Sequence, residues 1–338
     1  MERRELTGEF SICPVLNGMW QVSGAHGRID PQKALSAMFR YVDAGLVTWD
    51  LADHYGPAED LIGEFRSQWQ KQRPEQPIPI QALTKWVPRP MPMTKQMVSS
   101  NIQISLQRMG VECLDVLQFH WWDYSVPAYM DALKYMVELQ TEGKIKYLAL
   151  TNFDTEHLGI ILDGGIPIIS NQVQFSVIDR RPEVSMIPFC REKDVKILAY
   201  GTLCGGLLSE KYLGKPAPRG SLDTASLRKY KNMIDVWGGW ALFQDLLTLL
   251  KRIADKHSAQ RGIQFAIPHV AARYILDKPQ VAGVIIGVRL SISEHIEDNL
   301  KIFALQLDDQ DHQAIDSFQE RARNLYQVIG DCGDEYRR

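Results

Sequence analysis

Short apolar segments alternate with helix-periodic ones along almost the whole chain. Strand character falls at residues 15–21, 47–52, 80–85, 113–120, 145–151, 168–175, 195–201 and 281–287. Between them the apolar residues recur at helical spacing. One such stretch runs from Pro31 to Asp43, with Asp30 placed to cap it and Pro31 at its first position. Others run from Thr94 to Met109, stopped by Gly110, and from Val126 to Thr141, ended by Gly143. Repeated strand–helix units demand a parallel sheet sheathed by helices, which leaves a closed (β/α)8 TIM barrel or a doubly wound sheet. The second usually carries a G-x-G-x-x-G turn after its first strand. Here that turn is QVSGAHG, which lacks the spacing, so the barrel is the expected fold.

No linker interrupts the alternation, so residues 1–338 are expected to form a single domain, the barrel spanning about 9–305. The start, GEFSICPV, reads as an N-terminal hairpin plugging the barrel floor. Residues 205–239 are the longest break in the pattern and include SEKYLGKPAPRGSLD. A long loop there, after strand 7, would be a lid. Residues 306–338 read as a C-terminal helical tail that either packs on the barrel or covers the site.

Composition excludes several function classes. A net charge of -3 offers no basic face for nucleic acid. No apolar run approaches the roughly 18 residues of a membrane span. MERRELTGEF lacks a signal-peptide core, so a cytoplasmic protein is expected. The five cysteines show no metal or redox spacing and are expected to be reduced, with Cys332 in the polar tail the most exposed. No metal site is expected.

Four polar residues stand at or just beyond the ends of three consecutive strands: Asp50, Tyr55, Lys85 and His120. Strand C-termini of a barrel converge on one mouth, where active sites sit. A phenol beside an ammonium can have its pKa drawn toward working pH. A carboxylate can orient and neutralise that ammonium, and an imidazole can hold a substrate oxygen. A buried lysine has no comfortable role without a carboxylate, so Lys85 is the least ordinary of the four.

On these residues the chain resembles the aldo-keto reductase superfamily. The matching pieces are D-x-A-x-x-Y-G (Asp50, Ala52, Tyr55, Gly56), T-K-W (Thr84 to Trp86) and Q-x-H-W (Gln118 to Trp121). TNF at Thr151 to Phe153, NQVQFS at Asn171 to Ser176, AYGTLCGGLLSEKY at Ala199 to Tyr212, IIGVR at Ile285 to Arg289 and EDNL at Glu297 to Leu300 continue the likeness in family order. The resemblance implies an NADPH-dependent oxidoreductase that interconverts an aldehyde or ketone and its alcohol. Tyr55 would be the general acid, Lys85 would lower its pKa, Asp50 would pair with that lysine, and His120 would orient the substrate oxygen. Thr151, Asn152 and Gln172 would hold the nicotinamide carboxamide, and Tyr200 would stack on its ring. Gly201, Leu203 and Gly205 in the strand-7 turn would meet the pyrophosphate, with Lys211 and Arg219 clamping it. Arg289 and His295 are the groups available to an adenosine 2′-phosphate, and Asp298 and Asn299 to the adenine. NADPH is expected, with NADH less favoured, although the spacing from GVR to EDN is about two residues longer than the family's and counts against a 2′-phosphate site. Potassium-channel β subunits share these motifs, so a cofactor-binding regulatory subunit is the alternative. A metal-dependent hydrolase using Asp50, His54 and His120 would leave Lys85 and Tyr55 unexplained.

Trp20, Trp86 and Trp121 follow strand ends and are expected to line an apolar or aromatic pocket for a small-molecule carbonyl substrate.

Overall fold

The computed structural model describes residues 2–24, 29–218, 222 and 224–337. Its strands are β1 (Arg4–Thr7), β2 (Phe10–Ile12), β3 (Val15–Gly18), β4 (Thr48–Asp50), β5 (Gln81–Trp86), β6 (Leu114–His120), β7 (Ile145–Thr151), β8 (Ile168–Gln174), β9 (Lys196–Tyr200) and β10 (Val281–Gly287). Strands β3 to β10 close into a parallel barrel, with β10 pairing β3. The antiparallel pair β1–β2 inserts Leu6, Phe10 and Ile12 against Leu16, Leu83, Val116, Ala149, Leu198 and Ala282. The expected plug is therefore present, and apolar side chains fill the lower barrel.

The sheath is α1 (Pro31–Asp43), α2 (Ala58–Gln72), α3 (Lys95–Met109), α4 (Tyr129–Thr141), α5 (Thr155–Asp163), α6 (Met186–Lys193), α7 (Ala225–Trp237), α8 (Gly239–Arg261), α9 (Ile267–Leu276) and α10 (Ile296–Ala304), followed by α11 (Asp309–Asp316) and α12 (Leu325–Ile329). Asp30 caps α1, its carboxylate accepting from the backbone N–H groups of Gln32 at 3.0 Å and Lys33 at 3.2 Å. Gly110 ends α3 at φ +63, a conformation that costs glycine little. Helix α4 starts at Tyr129, later than the periodicity suggests. The preceding residues are held as a turn, with Ser125 N–H donating to Asp123 at 2.9 Å and the Val126 carbonyl accepting from the Trp121 indole at 3.0 Å.

Side chains on a strand alternate between faces. Leu83, Val116, Ala149 and Leu198 point into the barrel, so Lys85, Gln118, His120, Thr151 and Tyr200 share that direction higher up. Trp86, Phe119 and Trp121 take the opposite parity and join the core between sheet and helices. In β8 a register irregularity against β7 shifts the parity, so that Ile169 and Gln172 both reach the interior cluster or mouth.

Two expectations are corrected here. The long break after β9 is not simply a loop: Thr224 caps the 13-residue helix α7 within it. Cys332 is buried, not exposed, because the tail folds back over the barrel mouth, and burial pushes its thiol well above the usual value.

Candidate active site

The ion pair at the centre of the mouth is built from two neighbouring strand ends. Asp50 ends β4 and Lys85 lies one residue before the end of β5. Lys85 Nζ donates to Asp50 Oδ1 at 2.6 Å and to the Leu51 carbonyl at 3.0 Å. Both side chains are buried. Asp50 Oδ1 also accepts from Gln118 Nε2 at 3.0 Å and Gln172 Nε2 at 2.6 Å. Three donors thus fix one carboxylate oxygen. Burial lowers the Lys85 pKa, while Asp50 opposes that shift.

Tyr55 lies beyond β4, its ring 5.2 Å from Lys85 Nζ. The sequence reading has Lys85 drawing the phenol's pKa down. The structure gives the opposite direction: burial, followed by the charges of Asp50, Tyr336 and Asp53, pushes it well above 10. The reason is geometric. The ammonium is committed to Asp50 and the Leu51 carbonyl, so desolvation dominates at the phenol. Tyr55 is consequently a neutral, protonated phenol at physiological pH.

His120 ends β6 beside Thr151 of β7. Its Nδ1 lies 2.9 Å from the Thr151 carbonyl, so Nδ1 carries the proton and donates. Burial lowers the imidazole pKa to about 4. The ring is therefore neutral near pH 7, and its Nε2 is an acceptor. Nε2 is buried with no partner, as is the neighbouring Thr151 Oγ1. Two orphaned buried polar atoms on paired strand-end residues suit a ligand that brings polar groups of its own. The low His120 pKa also has a consequence for stability. Between pH 6.5 and about 4 the unfolded chain binds a proton that the folded chain refuses, so stability falls as pH drops through that window. The loss should be on the order of 3 kcal/mol. Urea unfolding from pH 7 to 4 checks this, and His120→Gln should flatten the dependence; an equally steep profile in the variant would refute the assignment.

The tryptophans divide by strand parity. Trp86 and Trp121 are corrected from pocket to core. Each sits one residue after an inward-facing group and is buried, Trp86 against Phe119 and Trp121 with its indole on the Asp123 and Val126 carbonyls. Trp20 is 36% exposed, with its ring 5.1 Å from that of Tyr55. Trp122, 40% exposed, meets His120 edge-on at 4.3 Å. Trp122 is the mouth residue that Trp121 was expected to be.

The expected cofactor groups are spread around the same rim. Asn152 follows β7 at φ +58, a left-handed conformation asparagine tolerates, and its Oδ1 accepts from Tyr200 Oη at 2.9 Å. Gln172 spends its amide on Asp50 and on Gln118 Oε1, at 2.6 Å and 2.7 Å. Gly201 and Gly205 both adopt positive φ, and a Cβ on Gly201 would lie 2.2 Å from the Tyr230 hydroxyl of α7. Helix α7 thus seats directly on the turn that includes Leu203. Lys211 is exposed, and Arg219 lies outside the described residues. Arg289 is exposed, and His295 has its side chain 59% exposed, 3.9 Å from Asp298. Asp298 is held by Lys301 at 3.0 Å, and Asn299 is buried at the start of α10. His54, the ligand a metal hydrolase would need, is exposed and paired with Asp53 at 2.8 Å.

Several mouth residues escape sequence reasoning. Gln118 was visible in its motif but had no role. Lys229, Glu335 and Tyr336 carry no local signal. Lys229 lies on α7, and Tyr336 lies 6.2 Å from His120 between ring centroids.

Comparison with known proteins places the chain in a family. The sequence model of the aldo/keto reductase family matches residues 14–320, and the chain belongs to that family. It is accordingly an oxidoreductase of the nicotinamide-dependent, carbonyl-reducing kind. Among relatives, the NADH-specific methylglyoxal reductase of Escherichia coli is 24% identical over 90% of this chain and 94% of that protein. Flagellar radial spoke protein 5 of Chlamydomonas reinhardtii is 33% identical over 44% of this chain, but the match spans only 32% of that protein. The solved structure of a glycerol dehydrogenase from Gluconobacter oxydans shares the fold with TM-score 0.77 at 21% identity, covering 95% of this chain and 96% of that one. No helix among the described residues is long and apolar enough to cross a membrane.

Proposed function

We propose that the protein reduces an aldehyde or ketone to the alcohol, or runs the reverse, with Tyr55 as the acid and NADPH preferred over NADH. The observation that carries this is the buried Asp50–Lys85 pair, with the Tyr55 ring over the ammonium and the orphaned His120 Nε2 at the adjoining strand end. The bound nicotinamide would supply the hydride. Thr151, Asn152 and Tyr200 would hold that ring, while Gln172 would act by fixing Asp50.

The Tyr55 hydroxyl gives its proton to the carbonyl oxygen as the carbon accepts the hydride. Once the phenolate forms, the Lys85 ammonium, 5.2 Å from the ring centre, would offset part of the burial that raises the phenol's pKa, although most of its attraction is spent on Asp50. Neutral His120 accepts from the hydroxyl of the alcohol, so it orients the oxygen in the alcohol-bound state. Trp20 and Trp122 supply flat apolar walls, which favours apolar or aromatic carbonyl compounds.

The cofactor preference rests on Arg289 and, more weakly, His295. The test is oxidation of NADPH and NADH in parallel against aromatic and aliphatic carbonyl compounds. Multiple turnovers with NADPH are expected, and Arg289→Ala should weaken NADPH about tenfold while sparing NADH, as expected for one charged phosphate contact. Equal loss with both cofactors would remove Arg289 from the phosphate site. Tight nucleotide binding without turnover would favour the regulatory-subunit alternative, in which the same mouth serves as a sensor.

A further inference from the structure

The C-terminal tail enters the mouth and engages Tyr200 and the backbone of Asn152, two residues proposed to hold the nicotinamide. Tyr336 Oη lies 3.0 Å from Tyr200 Oη and accepts from Lys229 Nζ at 2.6 Å. Lys229 Nζ also lies 5.4 Å from the centre of the Tyr200 ring and 4.6 Å from that of Tyr336. The Tyr336 ring meets Trp122 edge-on at 6.0 Å. Glu335 Oε1 lies 3.3 Å from Tyr200 Oη and competes with Asn152 Oδ1 for its single proton. The backbone is as close: a Cβ on Gly333 would lie 2.1 Å from the Asn152 carbonyl oxygen.

Strong anchors hold the segment there. Glu335 Oε2 takes Arg181 Nη1 at 2.8 Å, deep in the protein. Arg181 donates as well to the Asp331 carbonyl at 3.0 Å, and the Arg337 guanidinium stacks over Tyr124 at 3.9 Å and donates to the Trp121 carbonyl at 2.7 Å. Yet the anchor is reversible. Arg181 is also paired with Asp179 through two bonds, at 2.8 Å and 2.9 Å. If Glu335 leaves, Arg181 keeps a carboxylate and no buried charge is stranded, which avoids the usual cost of opening a buried ion pair. Departure of Glu335 also makes the mouth more positive by one charge, because it removes a carboxylate from beside Arg181 and Lys229. A mouth in that state suits a polyanionic ligand.

We propose that the tail is a built-in competitor of the nicotinamide cofactor: a latch in which Glu335 and Tyr336 occupy Lys229 and Tyr200, Gly333 packs on the Asn152 backbone, and the segment withdraws when the nucleotide seats. This rests on the assignment of Asn152 and Tyr200 to the nicotinamide end of the site. Closing the latch reduces apparent cofactor affinity by the fraction of molecules that are open. Weakening it should therefore tighten binding, which loss of an ordinary structural contact does not do.

The experiment is titration of the full chain with NADPH, and separately NADH, followed by quenching of tryptophan fluorescence. Tyr336→Ala should bind at least about fivefold more tightly than the parent, as expected for the removal of two latch hydrogen bonds. Glu335→Gln should tighten it in the same direction. Gly333→Ala attacks the backbone instead, since Gly333 sits at φ +88 with no room for a methyl group, and should also tighten binding. Hydrogen exchange supplies a second readout: amides of residues 331–337 should lose protection when saturating NADPH is added. Unchanged or weaker binding in the variants, or a tail that gains protection with cofactor, would overturn the latch and make the tail part of the cofactor-bound site. Failure of the parent and all three variants to bind either nucleotide would instead overturn the cofactor assignment on which the latch rests.

Discussion

Tyr55→Phe is expected to cut turnover by at least about 10²-fold while leaving nicotinamide binding nearly unchanged. The substitution removes one hydroxyl and keeps the ring that packs 5.1 Å from Trp20. Folding should therefore be undisturbed, and the loss should fall on kcat more than on KM. The expected size follows from the role. A proton delivered by a positioned acid typically contributes 10²–10⁴-fold, and Tyr55 lies with its ring over Lys85. His120 cannot substitute, because its one proton is committed to the Thr151 carbonyl and burial keeps the ring neutral. Steady-state kinetics with one aldehyde, beside fluorescence titration with NADPH, separates the two quantities. Near-parent turnover in the variant would show that the acid is another group.

Lys85→Met should abolish reduction and also destabilise the fold, by about 3–5 kcal/mol, the usual cost of breaking a buried pair from one side. The remaining Asp50 carboxylate would keep its Gln118 and Gln172 donors but lose its countercharge. The phenolate left by proton donation would lose the cation beside it. Asp50→Asn combined with Lys85→Met should recover much of the lost stability, since the double variant strands no charge, and recover none of the activity. Urea unfolding with activity assays on the single and double variants checks both halves. A single variant as stable as the parent would mean that the pair is better hydrated than its burial indicates. A double variant that regains turnover would mean that Lys85 has no part in the chemistry.

The barrel was legible because its signals are local. Strand and helix periodicities, the Asp30 cap and the Gly110 stop each depend on a few neighbouring residues. The tetrad was legible for a related reason: a barrel gathers strand ends, so polar residues at the ends of β4, β5 and β6 must meet. The tryptophans show where that logic needs one further step. Lys85 and Trp86 are neighbours in sequence but opposite in direction, and so are His120 and Trp121. Strict alternation from Leu83 and Val116 would have sent both tryptophans to the core.

The sequence by itself determined the order of strands and helices, the plug at the barrel floor and the four groups that converge at the mouth. It could do so because each depends on spacing along the chain. Only the tertiary structure decided the direction of the Tyr55 pKa and the tautomer of His120. The first depends on desolvation and nearby charges, the second on one carbonyl contributed by a neighbouring strand. It alone also brought Glu335 and Tyr336 to Arg181, Lys229 and Tyr200. Contacts between residues more than a hundred positions apart leave no periodic trace in the chain, because what fixes them is the closing of the barrel and the return of its tail.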